Sequence, residues 1–452
     1  MEGRSTEEII DTKINRYRIQ HRPILKLSNR IIFYLRILTA DISKRLLTLT
    51  LGALQFSESS RMTGTCETDK VLYLVFQKLN VSDLLRASQV CSYWKYVALQ
   101  NSLWEKVSLN GLIVTDWEKG CLALKKFGTI SLDLRGIKNQ DTSHVWKDLD
   151  RYLIHLNGIE ELLFHQITPL LLKSITFNVP SLRKLECRFV TTAYTEPEIW
   201  TTSCEIGLSS LRYLGWLVSL KIGSGARIVL NAGQDALFPY LPNLRHVSLT
   251  GFKFSSVLNL EGLAAIKGLI SLELGDCKDV EPGIYVLIGT LTTLKRLRLE
   301  NGGDINDTKL SKALVKIKGL EILELMNFQI SENLANSFKE LQHLNHLSIW
   351  PDNSDENAVV NTILFTAIYN CKGLKYLCWG NIAEGGPISK ILQMEKDFGN
   401  LFHKLVAAFP RCRVEMKCVP RYLWRQFCFT SVSKNTRIST DYKSVSILNA
   451  SA

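Results

Sequence analysis

The sequence has no apolar run long enough to cross a membrane. Its nearest approach, IIFYLRILTA (Ile31 to Ala40), is short and carries Arg36, against the roughly 18 residues a span requires. It has no signal-peptide pattern either, because the opening MEGRSTEEIID is acidic and polar. The expectation is an intracellular chain, cytoplasmic, nuclear or both. Paired cysteines are missing too. The 11 cysteines are odd in number, scattered and never spaced C-x-x-C. Cys371 and Cys378, like Cys412 and Cys418, lack further partners at zinc-ligand spacing. No metal site is expected, and the thiols should serve as small buried apolar groups. Catalytic patterns are absent as well. The histidines form no H-x-x-x-H or H-E-x-x-H pair, there is no P-loop, and Gly223-Ser-Gly225 reads as a turn and not as a dinucleotide loop. His343 and His346, three apart, flank a strand phrase and read as surface residues, not as a ligand pair. The chain reads as non-catalytic, with no cofactor.

What is present begins with charge. Lysine and arginine total 55 against 43 acids, a net charge of +12. The excess is concentrated. Residues 1–61 hold eleven Lys/Arg and six Asp/Glu, and RCRVEMKCVPRYLWRQF (Arg411 to Phe427) holds five bases and one acid. Between these clusters the signs are mixed, unlike the stripe of bases with aromatic platforms that a nucleic-acid groove usually shows. Nucleic acid is therefore not the expected partner, and the second cluster reads as a solvated terminal cap. The basic, apolar N-terminal stretch leaves three readings open: a membrane-surface helix, a presequence disfavoured by its acidic start, or sequence upstream of a natural start at Met62. The Ser/Thr-rich end, Ser431 to Ala452, is expected to be disordered.

From residue 129 one phrase keeps returning, L-x-x-L-x-L. Strong copies are LRHVSL (Leu244), LISLEL (Leu269), LKRLRL (Leu294), LEILEL (Leu320), LNHLSI (Leu344) and LKYLCW (Leu374), spaced by 25, 25, 26, 24 and 30 residues. Weaker copies are TISLDL (Thr129), IEELLF (Ile159), LRKLEC (Leu182) and LVSLKI (Leu217). A leucine-rich repeat runs about 20 to 29 residues and carries this strand signature. Within each phrase apolar and polar residues alternate, as in a strand with one buried face. Segments such as Ile284 to Leu291 and Leu310 to Ile317 read as helices, with Pro282 suited to a helix start and Ser331 to an N-cap. One such unit cannot bury its own apolar side, so neighbours stack into a parallel sheet backed by helices. The fold class expected is α/β, a solenoid whose sheet lines a concave arc with helices outside. An irregular insertion is expected between Val190 and Trp216.

Upstream stands VLYLVFQKLNVSDLLRASQVCSYWKYVALQNSLWEKVSL (Val71 to Leu109). Val71, Leu72, Val75, Phe76 and Leu79 fall on one helical stripe. Asn80-Val-Ser-Asp breaks that helix, Ser82 is placed to cap the next, and SYWKYVAL forms a third. About forty residues in three short helices are too few to be stable alone, and their surplus apolar surface predicts a partner. In order and spacing, Val71, Leu72, Phe76, Leu79, Asp83, Leu84, Leu85, Val90, Cys91, Trp94, Leu103 and Trp104 closely resemble an F-box. The family's Leu-Pro opening is absent, and Glu67-Thr68-Asp69-Lys70 stands in its place. That departure either weakens adaptor contact or frays the first helix. The resemblance implies docking on a Skp-family adaptor, and through it a cullin scaffold with its RING subunit. It also implies that Trp94 and Trp104 lock the small helical unit together and tie it to the adjoining C-terminal segment.

Together these features predict a basic extension over 1–65, the box over 66–109, a linker helix over 110–128, repeats over 129–418 and a basic, then Ser/Thr-rich tail over 419–452. The repeats resemble the long ribonuclease-inhibitor-like variety. Cys277 holds the position of that subtype's cysteine, and Phe252 and Phe328 hold it elsewhere. A box followed by such repeats looks like the substrate-receptor class of cullin–RING ubiquitin ligases. The residues expected to meet the adaptor are those of the box other than Cys91, with Val75 included. The residues expected to meet a protein substrate are Arg296, Arg298, Met326, Trp350 and Tyr376, on the inner face of the arc. Two other functions stay open: a repeat scaffold unconnected to ubiquitin, and a nucleic-acid or membrane-surface binder resting only on the charge clusters.

Overall fold

The computed structural model describes residues 66–138, 143–189, 208–230, 238–254, 260–275, 283–302, 307–328, 330–351, 367–369, 371, 373–383, 403–405 and 407–420. The N-terminal extension, most of the expected insertion, Cys277, Pro282 and the Ser/Thr-rich tail lie outside these. The chain divides into two compact units, residues 1–139 and 140–452.

The first unit opens with four helices: α1 (Cys66–Phe76), α2 (Val81–Ala87), α3 (Ser92–Ala98) and α4 (Asn101–Trp104). Helix α1 runs straight through Glu67–Lys70. No proline stands there to set a helix start, so the lost Leu-Pro opening is replaced by helix. The cap of α2 is Asn80, not Ser82. Asn80 Oδ1 accepts from the Asp83 backbone N–H and its Nδ2 donates to Asp83 Oδ2, both at 2.9 Å. This reciprocal pair satisfies the exposed end of the helix from two residues earlier than Ser82 would. The unit closes with β1 (Lys106–Ser108), α5 (Trp117–Phe127) and β2 (Ser131–Asp133), and β1 pairs parallel with β2. Asp116 caps α5 at its start, and Gly128 ends it at φ 68°, in the left-handed region that favours glycine. Residues 110–128 are therefore not a plain linker. They hold the crossover helix of a strand–helix–strand unit, which begins one strand before residue 129.

The second unit contributes ten strands: β3 (Glu161–Leu163), β4 (Lys184–Phe189), β5 (Ser219–Leu230), β6 (His246–Phe254), β7 (Ser271–Leu274), β8 (Arg296–Gly302), β9 (Ile322–Phe328), β10 (His346–Pro351), β11 (Tyr376–Ala383) and β12 (Arg413–Pro420). Each pairs parallel with the next in chain order. Helices α6 (Ser143–Tyr152), α7 (Pro169–Asn178), α8 (Gly283–Thr290), α9 (Asp307–Lys316) and α10 (Glu332–Ser337), with short 3₁₀ turns elsewhere, make the return crossings. Ser331 caps α10 as expected, its Oγ accepting from the N–H groups of Asn333 and Leu334.

The register explains the core. Leu162, Leu185, Leu220, Val247, Leu272, Leu297, Leu323, Leu347, Leu377 and Val414 align across neighbouring strands, and all are buried. Two residues on, Cys187, Ile222, Leu249, Leu274, Leu299, Leu325 and Ile349 repeat the pattern. Phe252 and Phe328, at the alternative cysteine position, are fully buried. Asn327, at φ 53°, provides the extra residue that returns Phe328 to the core side; asparagine tolerates that conformation better than most side chains. The solenoid is thus an α/β stack of nearly identical layers, with the leucines on one sheet face and polar residues on the other.

Candidate interaction surfaces

The first candidate surface lies on the helical unit. Its interior is built from Val75 and Phe76 of α1, Leu84 and Ala87 of α2, Trp94, Val97 and Ala98 of α3, and Trp104 of α4, all buried. Phe76 meets Trp94 edge to face at 5.3 Å between ring centroids, a favoured aromatic geometry. Trp104 Nε1 donates to the Ala98 carbonyl at 2.8 Å, and its ring stacks on Phe127 at 4.8 Å. Thr129 Oγ1 then donates to the Trp104 carbonyl. Trp94 therefore closes the helices on themselves, and Trp104 fastens them to α5 and β2. Outside this core lie side chains whose apolar surface faces outward: Leu74 (53% exposed), Leu85 (44%), Tyr93 and Tyr96 (70%). Tyr96 borders an open groove of about 430 Å³ that Ser92, Lys95, Leu99, Gln100 and Asn101 complete.

The second lies on the polar face of the repeat sheet, where side chains form three parallel rows across the strands. The outer row runs Glu161, Lys184, Ser219, His246, Ser271, Arg296, Ile322, His346, Tyr376, Arg413. Two residues along each strand, the central row runs Leu163, Glu186, Lys221, Ser248, Glu273, Arg298, Glu324, Ser348, Cys378, Glu415. The third includes Thr250, Glu300, Met326 and Trp350.

Charge alternates along the central row, and the row is mostly buried, with Glu186 and Glu324 partly reaching water. Arg298 is 1% exposed. Its Nη2 and Nε donate to Glu300 Oε1 at 2.7 and 3.2 Å, while Glu273 Oε1 lies 3.1 Å from Nε. Arg296 brings Nε and Nη2 to Glu324 Oε2 at 3.1 and 2.6 Å, and Lys221 Nζ sits 3.4 Å from Glu186. Burial pushes the Glu273 carboxyl up, against the pull of Arg298. Burial acts on Glu324 in the same sense, but Arg298 and Arg296 together bring it below the usual carboxylate range. Burial lowers the Lys221 ammonium, opposed by Glu186 and Glu273.

Residues 69–110 match the F-box-like family model. The chain is an F-box-like domain followed by leucine-rich repeats. No curated protein matches it. Among solved structures it is similar to an internalin from Listeria monocytogenes, at 13% identity over 78% of this chain and 90% of that one, with a TM-score of 0.35. It is also similar to a leucine-rich-repeat protein of Leptospira interrogans, at 14% identity over 70% and 91%, with a TM-score of 0.28. At such scores the fold stands on the strand register itself.

The F-box residues named from the sequence divide sharply. Val75, Phe76, Asp83, Leu84, Trp94 and Trp104 are buried inside the F-box and cannot meet an adaptor directly. The short helices can only stay together by packing those residues against one another. Val71, Leu72, Leu79, Val90 and Leu103 are half-buried, and Leu85 is exposed. Leu74, Tyr93 and Tyr96 complete the exposed set. They occupy the outward helical positions between motif residues, and that spacing was the available signal for them.

The expected substrate residues divide in the same way. Arg296 and Tyr376 lie in the outer row and reach solvent. Arg298, Met326 and Trp350 do not, contrary to expectation. Neighbouring strands only about 4.8 Å apart place a partner on each side of these side chains. Arg298 is held by its carboxylates. Met326 receives the Ser348 hydroxyl at 4.0 Å, and Trp350 Nε1 donates to that same Oγ at 3.2 Å. The Trp350 ring fills the space beside Gly380, where an added Cβ would collide with the indole. Tyr376 stacks on His346 at 4.3 Å, and its hydroxyl donates to Glu415 Oε2 at 2.8 Å.

Among the described residues, Cys91, Cys121, Cys187, Cys371, Cys378 and Cys412 are free, and all of these but Cys91 are buried. Burial pushes the thiols of Cys371 and Cys412 up to about 11 and that of Cys121 to about 12, so they remain protonated and unreactive near neutrality. Among the described residues, no three His, Cys, Asp or Glu side chains gather as a metal site. No helix there is long and apolar enough to cross a membrane.

Proposed function

We propose that this protein is a non-catalytic substrate-recognition subunit of a Skp–cullin–F-box ubiquitin ligase. The F-box docks a Skp-type adaptor, which links it to a cullin and its RING subunit, and the polar face of the repeats takes a protein substrate. The observation that carries this is the F-box with its core closed and its apolar surplus outside. Leu85 and Tyr96 are exposed beside the buried Leu84 and Trp94, which is the surface expected of a module that completes itself on a partner.

The test is co-expression with a Skp-type adaptor. The full-length chain should co-purify with it. Leu85→Ser with Tyr96→Ser should cut the recovered adaptor by about tenfold or more, since interface hot spots contribute about 2 kcal/mol or more each. The melting profile should stay unchanged. Leu84→Ala should instead unfold the box, at a cost of ~2–5 kcal/mol. A folded surface variant that holds the adaptor as the wild type does would sink this reading.

One observation favours a second reading, a repeat scaffold outside ubiquitin ligation. Glu67–Lys70 replaces the Leu-Pro opening with charged helix, which removes an apolar element from the docking surface. That reading predicts no adaptor in the pull-down, while the repeat face still binds protein.

A further inference from the structure

The outer row of the polar face carries a period that the repeat itself does not require. Every even-numbered strand from β4 to β12 places a base or an imidazole there: Lys184, His246, Arg296, His346 and Arg413. The odd strands between them place Ser219, Ser271, Ile322 and Tyr376. All of these reach solvent. The acids of the same face, Glu186, Glu273, Glu324 and Glu415, stand one row back, where they are covered or nearly so. Apart from Glu161 the outer row is thus basic, while the central row pairs its acids with the covered Lys221 and Arg298.

The bases keep capacity for a partner. Arg296 spends Nε and Nη2 on Glu324, which leaves its Nη1 edge. Arg413 is 60% exposed beyond its pair with Glu415, and Lys184 is 41% exposed with Glu161 no closer than 3.9 Å. The row also acts as one field. The His246 imidazole is held below its ordinary range by partial burial and then by the charges of Arg296 and Lys184. At the β3 end Glu161 reverses the sign and closes the row.

Spacing selects the partner. Adjacent strands lie about 4.8 Å apart, so successive bases recur about every 10 Å and the five span about 38 Å. An extended or polyproline II segment crossing the strands advances about 3.1–3.3 Å per residue, or about 10 Å in three. We propose that the partner is an extended acidic segment of protein, with an Asp or Glu carboxylate at every third residue. The first, middle and last carboxylates meet Lys184, Arg296 and Arg413, the two between lie over the His246 and His346 imidazoles, and the intervening residues pass over Ser219, Ser271, Ile322 and Tyr376. This rests on the reading that the polar face takes the substrate.

The test is fluorescence anisotropy of the full chain with labelled 13-residue peptides. One carries Glu at positions 1, 4, 7, 10 and 13 among Ser and Pro. A second clusters the same five Glu at one end, a third replaces Glu by Lys, and an oligouridylate serves as the fourth probe. The every-third peptide should bind about tenfold more tightly than the clustered one, the gain of about two further exposed ion pairs. Arg296→Gln with Arg413→Gln should remove that gain. Lys184→Gln with Arg413→Gln, at exposed ends of the row, should do the same without touching the Glu324 pair. Equal binding of both acidic peptides, binding of oligouridylate as tight as that of the every-third peptide, or indifference to both variants would overturn the inference. If acidic peptides fail while a substrate trapped through the adaptor complex is lost on Arg296→Gln, the acidic chemistry is wrong and the proposed function stands.

Discussion

The F-box and the repeat sheet hide their most conspicuous residues by different physics. In the F-box the conspicuous residues are aromatic and lie inside because short helices have little else with which to make a core. Phe76, Trp94 and Trp104 supply it, and Phe127 extends it toward β2. In the sheet the conspicuous residues are charged and lie inside because parallel strands crowd them from both sides. Arg298, Glu273 and Glu300 are as buried as leucines. One region excludes water by apolar area and the other by mutual neutralisation. In both, the residues that stand out mark what the fold needs, and the solvent-facing positions fall to plainer neighbours such as Leu85, Tyr96, Arg296 and Arg413.

That contrast predicts different responses to truncation. Trp104→Ala should cost ~3–5 kcal/mol, the range for a buried Trp or Phe. It should unfold the F-box in a denaturant titration, because packing, the Ala98 hydrogen bond and the Phe127 stack are lost together. Arg298→Met should cost about as much, ~3–5 kcal/mol, since it strands the Glu273 and Glu300 charges in the interior. The two should part on rescue. Adding Glu273→Gln and Glu300→Gln to Arg298→Met should recover much of the stability, whereas no single neighbour of Trp104 can be changed to refill its volume. If the triple variant melts no higher than the single one, burial of charge is not what the single variant suffers from.

Gly380→Ala should have a smaller effect, ~1–3 kcal/mol, the usual range for overpacking. It should come with a change in Trp350 fluorescence, because the new methyl group needs the space the indole holds. The smallest effect concerns protons. His246 should titrate by NMR with a midpoint below the ordinary value of 6.5, and Arg296→Gln should move it upward. The sign follows from linkage. The folded imidazole takes up its proton less readily than the unfolded one, so its contribution is present above the unfolded value and is lost as pH falls below about 6.5. A midpoint unmoved by Arg296→Gln would break the outer row into independent charges.

The repeats were legible because the strand phrase and its period repeat the same physical requirement ten times. The F-box was legible because its order of Phe76, Leu84 and Trp94 reflects one small core. Two strands, β1 and β12, escaped the phrase. Lys106-Val-Ser offers a single inward residue, and Arg413-Val-Glu-Met reads first as a basic cluster. Exposure was the weaker inference throughout. Alternation correctly put Arg298, Met326 and Trp350 on the polar face, but it does not tell how tightly adjacent strands enclose a side chain. That depends on lateral partners such as Gly380 and Glu300, which only the register assigns.

The register has a consequence for how such an array can change. The backbone of each repeat is interchangeable with the next, yet the central row is not. If the repeat carrying β9 were excised, β8 would lie beside β10, and Arg298 would face Ser348 in place of Glu324. Arg296 would lose its carboxylate to His346, and Trp350 would lose the Met326 flank. Duplicating the repeat would set Glu324 beside a second Glu324, like charges at close range. The repeats therefore form an ordered text whose adjacent letters depend on one another, and the array should tolerate residue exchange within a repeat far better than loss or gain of a whole one.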